Sequence, residues 1–442
     1  MLPKGTQLRA EMSGQTVTVE RTLGEGGQGA VYLVGGAGGQ RALKWYHPAQ
    51  ATETQRRAIR ELVSKGRPAG RAGDRFVWPE DLVTGFSAGG FGYLMPLIDT
   101  SRFLELGELW KAPRPPGLDM LSELSRCVVH SYRALHLSGY CYRDISRGNV
   151  LFDHIGGEVL ICDNDNVGIN LQSECQVAGT LETMAPELVR GAMKTPSIET
   201  DLHALAVLLF QLWVWHHPFH GELESQIRVF DDFAKRRVYG ETAVFIFDPQ
   251  DLRNALPMDV EYNTARRRWA MLPKSLQELF RRSFVDGVKA PHKRVQEGEW
   301  MRSFMRLKDN AVGCQSCRAV CLCDPADSSY VCWYCKQPVA KHPRLRLRHA
   351  GGDVEVSLNL GRELKGMHIN PLDFDGQSAG ACLGEVIANP ADKRQFGIRN
   401  NTSSPWVVTN ADGKVSEVPP GRSAVIALGN TINIAGVSSV IE

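Results

Sequence analysis

The stretch Leu23 to Tyr32, LGEGGQGAVY, constrains the fold more than any other part of the chain. Gly24, Gly26 and Gly29 set a G-x-G-x-x-G spacing, with Gly27 inside it and Val31 just beyond. In dinucleotide-binding folds this spacing opens a helix. Here the β-prone run AVYLV follows, so the loop joins two strands. Glycines in such a hairpin let backbone amides approach phosphate oxygens without Cβ obstruction. A plain glycine-rich hairpin has the same spacing, so the loop alone does not fix a function. Fifteen residues after Gly29, Ala42-Leu43-Lys44 puts a lysine on the next strand.

Further elements follow in order. Tyr142 to Val150 reads YRDISRGNV, with Asp144 and Asn149 five apart. Glu158 to Gly168 reads EVLICDNDNVG, a β-rich run that reaches Asp163. Gly179-Thr180 and Met184-Ala185-Pro186-Glu187 come next. Asp201-Leu202-His203 opens an apolar helix that leads into WVWHHPF, and Arg294 and Trp300 close the series.

In this order and spacing the elements resemble those of the eukaryotic-like (Hanks-type) protein kinase family, over residues 15–307. Lys44 is similar to the V-A-I-K lysine and YRDISRGNV to the H-R-D-x-x-x-x-N catalytic loop. The resemblance implies an α+β bilobal kinase fold, with an N-lobe over about 15–98 and a C-lobe over about 99–308. It also implies ATP and magnesium as cofactors, and serine or threonine hydroxyls of proteins as acceptors. Lys44, Asp144, Asn149 and Asp163 take the catalytic positions. Asp144 would accept or orient the substrate hydroxyl, and Asn149 and Asp163 would hold magnesium, with Asp165 competing for the second place. Lys44 would pair a helix glutamate: Glu61 in AIRELVSK, or Glu53, which lies outside the apolar-periodic part. Gly24, Gly26, Gly27, Gly29, Val31, Lys44 and Glu61 would surround the nucleotide, joined by Met95 and Leu97 of the hinge LMPLID. Ser173, Thr180 and Thr183 are the expected activation-segment phosphorylation sites.

Several positions depart from the family pattern. Tyr142 replaces the loop histidine, and Ser146 stands where a lysine usually meets the transferring phosphoryl, leaving Arg147 as a substitute. Asn164 and Asp165 follow Asp163 in place of Phe-Gly, and Pro96 occupies a hinge position that is often acidic. No metal ligand, phosphate lysine or base is removed, so we expect an active kinase, slow or tightly regulated. The alternative is a pseudokinase scaffold that binds ATP and assembles partners. The Gly-Thr and Ala-Pro-Glu elements, a peptide-docking platform in protein kinases, argue against a small-molecule kinase.

The composition changes along the chain. Residues 15–45 read as strands, Thr54 to Lys65 as a helix with Ile59, Leu62 and Val63 on one face, and Val77 to Ile98 as short strands. Helical character dominates from Leu118 to Leu307, with segments near 118–138, 199–215, 222–236 and 274–284. We therefore expect a kinase domain over 1–308, a cysteine-rich module over 309–342 and a β domain over 343–442.

Six of the 11 cysteines fall between positions 314 and 335. A disulfide-stapled secreted protein is short and spreads its cysteines, so the pattern points to one local metal site in a reducing compartment. Cys314-x-x-Cys317 and Cys332-x-x-Cys335 can present four thiolates to one zinc ion as a zinc-ribbon-like structural site. Cys321 and Cys323 are spectators, alternative ligands or part of a second site. Lys336, Lys341, Arg344, Arg346 and Arg348 follow. A solvated face explains them more simply than nucleic-acid binding does.

After Pro343 the chain is rich in Gly, Asn, Val and Ile, and LRLRH, VEVSLNL, WVVTN, SAVIAL and TINIAG read as strands of an all-β sandwich. Leu360-Gly361-Arg362, FGIRNNTSSPW (396–406) and GNTINI (429–434) resemble a forkhead-associated (FHA) domain. The family's S-x-x-H is not visible and its N-G-T position is degenerate. Arg362 and Asn400 are the remaining phosphothreonine-binding candidates.

With 51 Lys plus Arg against 49 Asp plus Glu, the net charge of +2 argues against a polyanion coat or a polybasic membrane binder. The N-terminal residues lack a signal-peptide core, and Ala204 to Trp215 is too short for a bilayer span, so a cytoplasmic location is expected. LICDNDNVG, the MAPE region and a cysteine knuckle together resemble kinases of tellurite-resistance-associated clusters. That resemblance implies a 2C-type phosphatase and a von Willebrand A protein as partners in a bacterial stress response.

Overall fold

The computed structural model describes residues 1–442 apart from 86–89, 114, 172–178, 326, 328, 351 and 372–377. Ser173 lies outside the described residues. The chain divides into two compact units, one of residues 1–115, 127–259 and 280–297, the other of 116–126, 260–279 and 298–442. The division therefore does not run at 308 and 342, where the composition changes.

In the first unit, six antiparallel strands close into a barrel. They are β1 (Gln7–Ala10), β2 (Thr16–Glu25), β3 (Gly29–Gly36), β4 (Gly39–Tyr46), β5 (Asp81–Thr84) and β6 (Gly92–Met95), in the order β1-β2-β3-β4-β6-β5. Period-two alternation sends Val17, Val19, Ala30, Tyr32, Val34, Leu43 and Leu94 into the barrel core. The opposite face follows from the register: Val31 pairs with Lys44, and Ala42 with Met95. Val31, Ala42, Lys44, Tyr46 and Met95 thus share one sheet face.

Helix α1 (Glu53–Lys65) begins where the Thr52 side chain accepts the Gln55 N–H and stops at Gly66, whose φ is 73°. It buries Ile59 and Leu62, and the Trp78 indole donates to the Leu62 carbonyl. Helix Ile198–Val214 is buried from Thr200 onward, as expected for a helix apolar on all sides. Among the described residues no helix is long and apolar enough to cross a membrane. The helix expected over 222–236 is two short ones, Glu222–Ser225 and Asp232–Arg236. Asp231 accepts the Ala234 N–H and so restarts the helix after the break.

In the second unit, residues 311–339 form two small hairpins, Ala311–Gly313 with Val320–Leu322 and Tyr330–Val331 with Pro338–Val339. The tail is two antiparallel sheets sharing one core. The larger runs Val354–Ser357, Arg344–Leu347, Val437–Ile441, Thr431–Ile434, Trp406–Thr409, Val415–Val418. The smaller runs Glu363–Lys365, Cys382–Ala388, Phe396–Asn400, Ser423–Val425. Leu345, Leu347, Val386, Ile398, Trp406, Ile432, Ile434 and Ile441 fill the space between them. The strand Cys382–Ala388 was not legible in the sequence, because Gly384 and Glu385 interrupt its apolar pattern. Gly384 is glycine for a packing reason: a Cβ there would lie 2.7 Å from the Trp406 ring.

Candidate active site

The glycine loop is a tight turn in which the Gly26 N–H donates to the Gly29 carbonyl, 2.9 Å. The His47 N–H donates to the Gln28 carbonyl, also 2.9 Å, tying the loop to the end of β4. Gly24, Gly26 and Gly27 face open space, whereas a Cβ on Gly29 would lie 2.2 Å from the Trp45 carbonyl oxygen. Only glycine lets β3 approach β4 so closely there. Val31 is half-buried, Met95 is buried and Leu97 is exposed.

Lys44 is buried, and its Nζ lies 2.9 Å from Gln28 Oε1. It also meets both oxygens of Asp165, at 3.0 and 2.9 Å, and one oxygen of Asp163 at 3.5 Å. Burial disfavours the ammonium, but the Asp165 and Asp163 carboxylates outweigh it and hold the Lys44 pKa above its ordinary value. Tyr46 donates to Asp165 Oδ2 at 2.6 Å and accepts from Gln55 Nε2 at 3.1 Å. Glu61 is corrected: it does not reach Lys44, but accepts from Lys65 one helical turn on, at 2.6 Å. Glu53, at the exposed start of α1, is not the partner either.

Asp163 has φ 50°, a left-handed conformation that Asp tolerates better than most residues, and its side chain is 47% exposed. Burial and the Asp165 carboxylate push its pKa up, against the pull of Lys44. Asn164, in the place of an apolar packing residue, is fully buried and donates to the carbonyls of Val77 and Ile161, at 2.8 and 2.9 Å. The position therefore holds the turn by hydrogen bonds where the family pattern uses packing.

Asp144 is gripped from two sides. Asn149 Nδ2 donates to its Oδ2 at 3.0 Å and its own carbonyl at 2.9 Å, and the Thr180 N–H donates to its Oδ1 at 3.0 Å. The preceding residue, Arg143, has φ 75°, a strained conformation for a residue with a Cβ. Asp201 holds it there by accepting the N–H groups of Tyr142 and Arg143. His136 bridges this carboxylate and Glu297. Tyr142, in the place of the loop histidine, donates its hydroxyl to the Cys162 carbonyl, joining the loop to the strand that precedes Asp163. Arg147 is exposed and approaches Glu182 at 3.9 Å. Thr180 is exposed, but Thr183 is buried and donates to the Thr180 carbonyl. As a phosphorylation site Thr183 is therefore corrected: its hydroxyl is not accessible in this conformation.

Sequence reasoning brought Lys44, Asp144, Asn149 and Asp163 to the site but assigned no role to Gln28, Tyr46, His136 or Asp201. Tyr46 could have been found, since period two puts it on the Lys44 face. His136 could not, because both its partners are distant in sequence.

Residues 105–281 match the family described as protein kinase domain. That segment is therefore similar to protein kinase domains. It includes Asp144, Asn149 and Asp163 and begins after the glycine loop and Lys44. The chain is 29% identical over 247 residues to the DNA damage-responsive serine/threonine-protein kinase RqkA of Deinococcus radiodurans, covering 53% of this chain and 34% of that protein. It is 33% identical over 103 residues to human protein kinase C delta type, covering 23% and 15%. With rat protein kinase C eta type the identity is 25% over 178 residues, covering 38% and 24%. The chain thus spans about a third or less of the length of these relatives.

The cysteine cluster lies beyond the matched kinase domain. Cys314, Cys317, Cys332 and Cys335 bring their sulfurs within 4.8 Å of one another. Cys314–Cys335 and Cys317–Cys332 are each 3.6 Å apart. Zinc–thiolate bonds of ~2.3 Å in a tetrahedron place sulfurs ~3.8 Å apart, so the donor set fits zinc. The two knuckles are built alike. Arg318 and Lys336, each one residue past its Cys-x-x-Cys, have φ 63° and 61° and donate back to Cys314 and Cys332. Cys321 and Cys323 are buried outside this set of four, their thiols facing the carbonyls of Ala319 and Cys321.

Neither phosphothreonine candidate in the tail is available. Arg362 donates to the carbonyls of Lys308 and Ala311 at 2.9 and 2.7 Å, and so closes the C-terminal end of helix Glu297–Asp309. Asn400 is fully buried and bonds the Ser404 and Val418 carbonyls and the Thr402 N–H. Both side chains have structural partners, which corrects the expectation of a phosphate contact.

Proposed function

We propose that the chain is an ATP- and magnesium-dependent kinase that transfers the γ-phosphoryl group to serine or threonine hydroxyls of proteins. The observation that carries this reading is the Asp144 carboxylate held between the Asn149 amide and the Thr180 N–H. Bound ATP would supply the phosphoryl group and magnesium would offset its charge. Lys44 and the amides of the Gly24–Gly29 loop would hold the phosphates, and Val31 and Met95 would face the nucleotide base. Asn149 and the half-exposed Asp163 would hold the metal. Asp144 would orient the acceptor hydroxyl and take its proton, its own position fixed by Asp201 through the backbone of Tyr142 and Arg143. Incorporation of radiolabelled phosphate by the wild type and by Asp144→Ala tests the reading. We expect a loss of at least about a hundredfold in the variant. Equal background incorporation in both would overturn catalysis.

A second reading is a pseudokinase scaffold. Gln28 sits on Lys44 Nζ, and Ser146 supplies no cation beside the acceptor. Nucleotide binding by the wild type without transfer would select it.

The four clustered thiolates support a structural zinc-ribbon-like module, and the two-sheet tail supports an FHA-like fold used for protein contacts. The similarity to the DNA damage-responsive kinase RqkA supports a bacterial stress-signalling role. The resemblance to tellurite-resistance clusters supports a 2C-type phosphatase and a von Willebrand A protein as partners in the cytoplasm. Copurification of the full chain with each would test the pairing.

A further inference from the structure

Of the two carboxylates beside Lys44, Asp163 has a place in the kinase reading as a metal ligand, but Asp165, the nearer one, has none. We propose that Asp165 is the positioning residue that anchors Lys44, in the role that a glutamate on α1 would otherwise fill. This deepens the kinase reading above and rests on it only for its effect on turnover.

Three observations carry the assignment. First, both Asp165 oxygens contact Nζ, and the side chain is 1% exposed, against 6% for Lys44. A two-point contact away from water fixes a flexible ammonium far better than an exposed pair does. Second, Asp165 is itself held. The Tyr46 hydroxyl donates to Oδ2 at 2.6 Å, and Gln55 of α1 donates to that hydroxyl at 3.1 Å. The helix is thus linked to Lys44 through Gln55, Tyr46 and Asp165 rather than by its own carboxylate. Third, the carboxylate that could compete is engaged elsewhere. Glu61 is 46% exposed and pairs with Lys65 on the same helix.

The same geometry separates the two aspartates. Asp165 is buried with both oxygens engaged. Asp163 is half-exposed and offers one oxygen to Lys44 at the longer distance of 3.5 Å. Asp163 is therefore the carboxylate free to face a metal, and Asp165 the one that holds the lysine.

The test needs no turnover. The nucleotide-free full chain is trace-labelled with acetic anhydride, and acetylation of Lys44 is read by mass spectrometry against the other lysines. Losing its two-point anchor frees the Lys44 ammonium to move out of its buried position, so Asp165→Asn should raise its labelling on the order of tenfold. Glu61→Gln should leave it within about twofold of wild type. Tyr46→Phe, which keeps both charges, should raise it about two- to threefold and serves if Asp165→Asn does not fold. Unchanged labelling in Asp165→Asn, or in Tyr46→Phe where that variant stands in, would overturn the proposal. A rise in Glu61→Gln equal to that in Asp165→Asn would do the same. In a turnover assay, Asp165→Asn should lower kcat/KM for ATP on the order of tenfold and leave the half-saturating magnesium concentration within about twofold. A tenfold rise in that concentration would make Asp165 a metal ligand and also overturn the proposal. A wild-type chain without turnover would remove the kinase reading, while the labelling result would still decide the anchor.

Discussion

Glu187 and Arg294 meet as a fork, with Nη1 2.8 Å from Oε1 and Nη2 2.8 Å from Oε2. The Arg294 side chain is 1% exposed and also donates to the carbonyls of Glu199 and Gly287. Breaking such a buried pair leaves one charge uncompensated. Arg294→Ala should therefore destabilise the unit by roughly 3–5 kcal/mol in urea unfolding. Changing Glu187 to Leu in the same chain should recover part of that loss. A single-variant loss below ~1 kcal/mol would mean that the fork adds little.

His136 gives a pH dependence. Burial lowers its pKa, but hydrogen bonds to Asp201 and Glu297 outweigh burial and raise it from 6.5 to about 9. A raised histidine stabilises fully below its unfolded pKa, and that stability is lost as pH climbs through the folded one. About 3 kcal/mol should therefore disappear between pH ~6.5 and ~9. Glu297 is shifted down despite its burial, chiefly by His136, so its share is lost as pH falls below ~4.5. His136→Gln should flatten the alkaline slope of unfolding free energy. An unchanged slope would assign that slope to other groups.

The cysteine cluster predicts one zinc per chain. Cys332→Ser should lose the metal, whereas Cys321→Ser and Cys323→Ser should keep it, as read by elemental analysis of purified protein. Chelation should unfold the 311–339 hairpins, because so short a segment has little core besides the thiols themselves. A metal content independent of Cys332 would remove the site.

Arg362→Ala should take this donor from the Lys308 carbonyl at the helix end and from the Ala311 carbonyl at the start of the next strand. A cost of about 1–3 kcal/mol is expected in denaturant unfolding of the full chain. Arg362→Lys should recover only part of it, since an ammonium cannot fork to two carbonyls as a guanidinium does. Stability equal to wild type in both would show that solvent replaces the fork.

Much of the barrel and of the candidate site could be placed from the sequence because the pattern there is local in sequence. Glycine spacing, alternation on β4 and the five-residue gap from Asp144 to Asn149 each specify backbone geometry over a few residues. What was not legible depends on long-range contacts. Glu61 was the natural partner for Lys44 by helical position, yet a carboxylate over a hundred residues away won the contact. Asp165 had the advantage of burial and of Tyr46, and Glu61 had a lysine one turn away. Arg362 was misassigned for the same reason: its true partners, Lys308 and Ala311, are about fifty residues upstream. Asn164 looked like a loss of packing, but the carbonyls of Val77 and Ile161 supply what the apolar side chain would have.

The strand Val437–Ile441 sits inside the larger tail sheet, between Arg344–Leu347 and Thr431–Ile434. Leu345 and Ile441 are register partners nearly a hundred residues apart. Until that strand docks, both neighbours present bare edges, and the core lacks Ile441. Pairing these two strands closes a long loop, which makes the tail a slow-folding part of the chain. During that interval a β-rich partner or a second nascent copy can compete for the same slot.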